Sequence, residues 1–402
     1  MQGMTSVGGL SKARLGRMRD IMAGHVECGS MPGLVTLVSR HGEVHVDVIG
    51  NMAFGGAPMR RDSIFRITSM TKSVTAAAAM MLVEECKLRL DDPVDPWLPE
   101  LADRKVLRAI DADLDDTMPA RRAITLRDLL TFRLGLGMIM AFPDRHPVQK
   151  AIAEAGFAPG PVFPSFAPDE LMRRYGTLPL VYQPGERWLY NSGTEILSVL
   201  IARAAGTTFG KFLRERIFAP LGMKDTDFSV PADKLDRLVT CYMRDHASGE
   251  LKVFDDPVTG KFAKPPVFEN GSAGLVSTAD DFNAFAQMML NGGRLGSERI
   301  LSRPSVELMT TDHLTSEQKQ GSELFFGDNK GWGLGLSVFT RRDNLCNVPG
   351  RFGWDGGYGT SWYSDEKENL TGILLTQRMM DSPQPPAVMA DFWTSAYQAI
   401  DD

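Results

Sequence analysis

Ser69-Met70-Thr71-Lys72 sets a hydroxyl and an amine three residues apart. On a helix that spacing puts both side chains on one face, one turn from each other. A lysine held in apolar surroundings loses solvation for its charged form, so its pKa falls, and a neutral amine can take the proton of a serine. The free N–H groups and positive dipole end of a first helical turn favour the negative charge that then develops. Two further S-x-x-K runs, Ser316–Lys319 and Ser364–Lys367, lie in a polar stretch and in a charged turn. Only Ser69 is preceded by a strand-like segment, Ile64–Thr68, and only Lys72 is followed by eleven uncharged residues, Ser73–Val83, that read as a buried helix.

A nucleophile of this kind needs a second proton carrier and a place for the oxyanion. Tyr190 follows a Pro184-Gly185 turn and precedes the apolar helix Glu195–Ala202, which puts it on an anchored loop. Beside a cationic Lys72 its phenol is expected to be acidified enough to act as a base; by itself it would read as a packing residue. Near the C-terminus, Gly353-Trp354-Asp355-Gly356-Gly357-Tyr358-Gly359-Thr360 opens a strand. Its glycines allow close backbone approach, and the N–H of Gly357 with that of Ser69 would make an oxyanion hole; an ordinary glycine-rich turn or bulge fits the same residues.

The elements around these residues are legible from their periodicity. Leu10–Val26 is an amphipathic helix, and Gly33–Ser39 and Val44–Ile49 are strands joined by a hairpin at His41-Gly42. Residues from Thr68 to about Leu221 read as mostly helical, with Thr125 capping a short helix. A long irregular stretch, Gly135 to Pro168, carries Met138, Met140, Phe142, Phe157, Phe163 and Phe166, as a lid or binding loop would. Gly331–Phe339, Ser361–Tyr363 and Leu370–Thr376 read as antiparallel strands, and Pro386–Ile400 as a closing helix. The expected class is α+β: an antiparallel sheet flanked by helices and built from both chain ends (1–66 and 271–402), with a mainly helical region (67–270) inserted and the site between them.

Composition narrows the function. A formal net charge of -6 over 402 residues gives no basic surface for nucleic acid. Six histidines form no ligand cluster, since His41 and His45 straddle a turn, so neither a metal nor another cofactor is expected. No apolar run approaches the ~20 residues a bilayer requires, and the first residues lack the basic-then-apolar pattern of a secretory signal. Four scattered cysteines without a C-x-x-C pair suggest reduced, mostly buried thiols and a cytoplasmic protein. The G-x-S-x-G elbow of α/β-hydrolases is absent.

From about Pro32 to Met379 the chain resembles the penicillin-recognising serine hydrolases, in particular the class C β-lactamase-like group. Phe65–Lys72 is similar to the first motif of that superfamily, Trp188–Ser192 to its Tyr-x-Asn motif, and Trp354-Asp355-Gly356 to its Lys-Thr-Gly or His-x-Gly motif. Ile124–Thr131 and Ser272–Asp281 are similar to supporting segments. Ser192 stands where β-lactamases carry an amide that contacts the substrate's acylamino group, and Trp354 where they carry a lysine for its carboxylate. Trp-x-Gly is the form found in family VIII carboxylesterases. The resemblance implies catalysis by Ser69, Lys72 and Tyr190, substrate binding by Ser192, Trp354, Gly356 and Gly357, and a small-molecule ester of short to medium acyl chain as substrate. Its rivals on the same fold are a β-lactamase, a D-amino-acid peptidase or amidase, and an acyltransferase. A binding scaffold is disfavoured because Ser69, Lys72 and Tyr190 are all present. Arg351, three residues before Trp354, is the nearby cation that would restore a carboxylate site.

Overall fold

Leu370–Thr376 shows how the architecture arises. Leu370 and Leu374 enter one apolar cluster and Ile373 and Leu375 another, because successive side chains of a strand point to opposite faces. A strand buried on both faces needs cover on both sides. The computed structural model, which describes residues 6–141, 143 and 145–402, supplies that cover with helices.

The main sheet has seven strands: β1 (Gly33–Arg40), β2 (Glu43–Gly50), β3 (Lys330–Trp332), β4 (Ser337–Phe339), β5 (Phe352–Gly356), β6 (Thr360–Asp365) and β7 (Leu370–Thr376). Their spatial order is β3-β4-β5-β6-β7-β1-β2, antiparallel throughout. The seam between the two chain ends is β7 against β1, with Ile373 opposite Leu37. On one face lie α1 (Lys12–Glu27) and a helix at the other terminus, Ala387–Gln398, whose Trp393 packs so tightly that a Cβ on Gly372 would come within 2.6 Å of its ring. On the other lies Ala279–Leu290, with Phe282 and Phe285 edge-on to Trp362 of β6. Between β2 and β3 come α2 (Thr71–Glu84), α3 (Leu126–Leu130), α4 (Pro147–Glu154), α5 (Pro168–Thr177) and α6 (Ser192–Ala205). Every residue of α2 from Thr71 to Leu82 is buried.

Several expectations are corrected. Gly331–Phe339 is not one strand: β3 and β4 flank a tight turn in which Gly335 has φ +75° and a Cβ on Gly333 would sit 1.9 Å from the Met309 carbonyl oxygen. The strand before Ser69 is only Phe65–Arg66, paired with Val276–Ser277 outside the main sheet. The stretch from Gly135 to Pro168 contains α4, because Pro147 begins a helix where its missing N–H costs nothing. Small antiparallel ribbons, Lys105–Leu107 with Thr117–Pro119 and Cys241–Arg244 with Leu251–Asp255, interrupt the helical region. Cys28 and Cys86 are exposed, while Cys241 and Cys346 are buried; all four are free thiols. Among the described residues no single helix is long and apolar enough to cross a membrane.

Thr125 caps α3 as expected, in a capping box with Asp128 that also receives Arg122. Thr125→Ala is therefore expected to cost about 1 kcal/mol, read as a lower denaturation midpoint with unchanged denaturant dependence.

Candidate active site

Ser69 stands at the head of α2 on a 3₁₀ turn, Thr68–Met70, that runs straight into the helix. Thr68 takes φ +41°, a region that disfavours a β-branched residue, and both Thr68 and Ser69 line a cavity. One turn on, Lys72 is fully buried, and its Nζ lies 3.0 Å from Ser69 Oγ. The same Nζ donates to Ser272 O at 2.8 Å and Ser272 Oγ at 2.9 Å. Burial pushes the Lys72 pKa down to about 7, against the opposing attraction of Glu195.

Tyr190 closes the triangle: its hydroxyl donates to Ser69 Oγ at 3.0 Å and accepts the Trp354 indole N–H at 2.8 Å. The loop carrying it is pinned by the Met138 N–H, which donates to the Tyr190 carbonyl at 3.0 Å. The expected acidification of its phenol does not occur. Desolvation pushes the Tyr190 pKa up to about 12, within a cluster of Phe132, Trp188, Phe325 and Trp354. Lys72 Nζ sits over the ring, 4.7 Å from its centroid, where the interaction is with the π face. Tyr190 is thus a neutral phenol at neutral pH.

The glycine-rich segment divides. Gly356 lies against the nucleophile's own backbone: a Cβ there would come within 2.1 Å of Thr360 Oγ1 and 2.4 Å of the Ile67 carbonyl oxygen. Close packing accounts for that glycine, and it does not line the cavity, contrary to its expected place against substrate. Gly357 does line it, with open space where a side chain would be. The N–H groups of Ser69 and Gly357 donate to no other described backbone group, so both are available to an incoming oxygen.

Behind Lys72 is a buried polar chain that sequence reasoning did not assign. The Ser272 hydroxyl donates to Asn191 Oδ1, Asn191 Nδ2 donates to Glu195 Oε1 at 2.9 Å, and the Tyr175 hydroxyl donates to Glu195 Oε2. Glu195 is 3% exposed and Ser272 fully buried. A glutamate in the first turn of an otherwise apolar helix was the available signal.

The cavity in front of Ser69 has a volume of about 600 Å³. Of the aromatic and methionine residues between Gly135 and Pro168, Met138, Met140, Phe157 and Phe163 line it. Phe166 instead packs on Phe157 beneath the Arg174 guanidinium, and Phe142 lies outside the described residues.

This arrangement agrees with what comparison with known proteins finds: the family model described as Beta-lactamase matches residues 18–391. The chain belongs to the Beta-lactamase family. It is 40% identical over 366 residues to an uncharacterized protein of Mycobacterium tuberculosis, covering 88% of each. It is 29% identical over 379 residues to esterase EstB of Burkholderia gladioli, covering 89% of each. Its fold matches that of EstCE1, described as a hydrolase with promiscuous acyltransferase activity, with a TM-score of 0.78 at 23% identity over 97% of this chain and 99% of that one. The chain is a serine hydrolase of β-lactamase fold.

Within this Beta-lactamase-family chain, the departures in the second and third motifs have visible structural consequences. Trp354 directs its N–H at Tyr190 and packs edge-on against Trp332 at 4.9 Å, so it supports the phenol and offers the cavity an apolar wall. Ser192 begins α6 at the cavity wall, 9% exposed. Arg351 stands apart from the cavity. It is 2% exposed under Phe339, Tyr363, Trp393 and Tyr397, its Nη1 donates to the Cys346 carbonyl at 2.7 Å, and it does not line the cavity.

Proposed function

We propose that this chain is a carboxylesterase that cleaves esters of short to medium acyl chain through an acyl-enzyme at Ser69. The observation that carries the reading is that Ser69 Oγ lies 3.0 Å from both Lys72 Nζ and the Tyr190 hydroxyl, at the wall of an apolar cavity. The esterase relative in Burkholderia supports it.

Hydrogen-bond polarity sets the roles. The Ser272 hydroxyl donates to Asn191, so its oxygen accepts from Lys72, as does the Ser272 carbonyl. A neutral amine has two N–H groups; both are taken by these acceptors, and the lone pair faces Ser69. Lys72 therefore accepts the Ser69 proton as Oγ attacks the ester carbonyl, whose oxygen gains negative charge against the N–H groups of Ser69 and Gly357. Tyr190, held neutral, passes its proton to the departing alkoxide and is reprotonated by the Lys72 ammonium. Water then attacks the acyl-enzyme along the reverse route, giving the acid and free Ser69.

A second reading is favoured by the cavity volume of about 600 Å³, which exceeds a short acyl group. An acceptor alcohol bound beside the acyl-enzyme in place of water makes the same site an acyltransferase. Incubation with a fluorophosphonate tests the shared step: intact mass shows one adduct, mapped to Ser69, and none in Ser69→Ala. Labelling elsewhere, or hydrolysis of p-nitrophenyl butyrate by Ser69→Ala at the wild-type rate, removes the proposal.

A further inference from the structure

Glu195 is a buried carboxylate that the hydrolytic steps leave unused. Burying an ionisable group is costly unless it is paired, and a glutamine of the same shape would fill the space. The titratable groups facing it are Lys72 from α2 and Tyr175 from α5, with the Asn191 amide on its own approach to α6 and the Asn270 amide from the segment before Ser272. Apart from Glu195 and the Tyr190 ring above it, the polar groups that Lys72 meets among the described residues are Ser69 and Ser272.

We propose that Glu195 is a positioning residue for Lys72: through Asn191 and Ser272 it fixes the direction of the lysine lone pair, and its charge balances the ammonium formed when Lys72 takes the Ser69 proton. This rests on Ser69 and Lys72 acting as described above. Two features of the geometry carry it. An amide can be turned either way, and the ionised Glu195 carboxylate, which can only accept, holds Asn191 Nδ2 at 2.9 Å from its Oε1. Asn191 Oδ1 is thereby directed at the Ser272 hydroxyl. With Asn191 reversed, the Ser272 hydroxyl would have no acceptor there and would be free to donate to Lys72, competing with Ser69 for the lone pair.

The second feature is the charge itself. Burial lowers the basicity of Lys72, and Glu195 acts in the opposite direction. Burial likewise raises the Glu195 pKa, while Lys72, Tyr175 and the two amides favour its ionised form. Asn191 holds φ +88°, a region unfavourable for any side chain, which is consistent with its amide being fixed from both ends. Tyr175, which holds the other carboxylate oxygen, also stacks on Phe157 of the cavity wall with centroids 4.0 Å apart, so the chain from Ser69 to Glu195 ends against the substrate pocket.

The test is the pH dependence of kcat/KM for p-nitrophenyl butyrate in the full chain and in Glu195→Gln, Glu195→Asp and Tyr175→Phe, with fluorophosphonate labelling of each. A neutral side chain at 195 leaves burial unopposed, so Lys72 loses its proton more easily. In Glu195→Gln the acid limb moves to lower pH, and the plateau falls on the order of tenfold because the base is weaker. Glu195→Asp keeps the charge and holds the limb at the wild-type position. Tyr175→Phe removes one hydroxyl from the carboxylate and moves the limb the same way by a smaller amount. A lower plateau with an unmoved limb in Glu195→Gln overturns the proposal, as does an unchanged profile. If Glu195→Gln does not fold, an unmoved limb in Tyr175→Phe overturns it. Absence of a Ser69 adduct in the wild type instead defeats the hydrolytic reading on which it stands.

Discussion

Lys72→Ala is expected to lower kcat for p-nitrophenyl butyrate by roughly a thousandfold or more, with Tyr190→Phe causing a loss of similar size. Both side chains meet the same atom, Ser69 Oγ, at 3.0 Å, and in the proposed relay they share the protons of one turnover. A relay that has lost one member has no use for the second, so Lys72→Ala/Tyr190→Phe should be hardly slower than either single variant. Losses that multiply in the double variant would show two independent contributions and break the relay. Thermal denaturation separates chemistry from folding. Lys72→Ala removes a buried amine whose burial opposes its charged form, and Tyr190→Phe keeps the ring that packs against Trp188, Phe325 and Trp354. Both proteins should still unfold cooperatively, Tyr190→Phe near the wild-type midpoint and Lys72→Ala below it, because Glu195 is then buried without its cation.

Readability from the sequence followed locality. Ser69 and Lys72 are one helical turn apart, and the apolar run behind them fixes the helix, so their meeting is written in consecutive residues. The hairpin at His41-Gly42 and the strand Leu370–Thr376 are equally plain, because a turn signal and a short apolar run are local. Tyr190, 121 residues from Ser69, is legible through its motif, but contacts without a motif are not. Lys72 and Ser272 are 200 residues apart, and nothing near Ser272 signals that its hydroxyl accepts from a lysine. Arg351 shows the converse error: three positions from Trp354 in sequence, it lies under Trp393 with its guanidinium 3.9 Å from the ring centroid. Neighbouring residues of a strand face opposite sides of the sheet, and three positions on, the side chain has crossed to the other layer. The expected acidity of Tyr190 fails for a related reason, since a sequence shows that a cation is near but not that burial outweighs it. The stretch from Gly135 to Pro168 reads as irregular, yet it holds a helix, because a proline at the first helical position, Pro147, begins one.

Esters should be strongly preferred to lactams: kcat/KM for p-nitrophenyl butyrate is expected to exceed that for nitrocefin by about a thousandfold or more. A cephalosporin brings a carboxylate that must leave water, and without a cation to receive it the binding energy is lost. Trp354 cannot supply that charge, because its only polar group is spent on the Tyr190 hydroxyl at 2.8 Å. Arg351 cannot reach the cavity. Arg244 lines it but is drawn to Asp381 at 3.6 Å. Lys330 also lines the cavity, but Asp355 lines it too and offsets its charge, so the wall near Trp354 presents little net attraction for an anion. A butyryl ester needs none of this. It asks only for apolar contact, which Met138, Phe157 and Phe163 provide, and for Ser69 in reach of its carbonyl. Equal kcat/KM for the two substrates would overturn the ranking and turn attention to Lys330, whose replacement by alanine should then abolish nitrocefin turnover while leaving the ester reaction nearly intact.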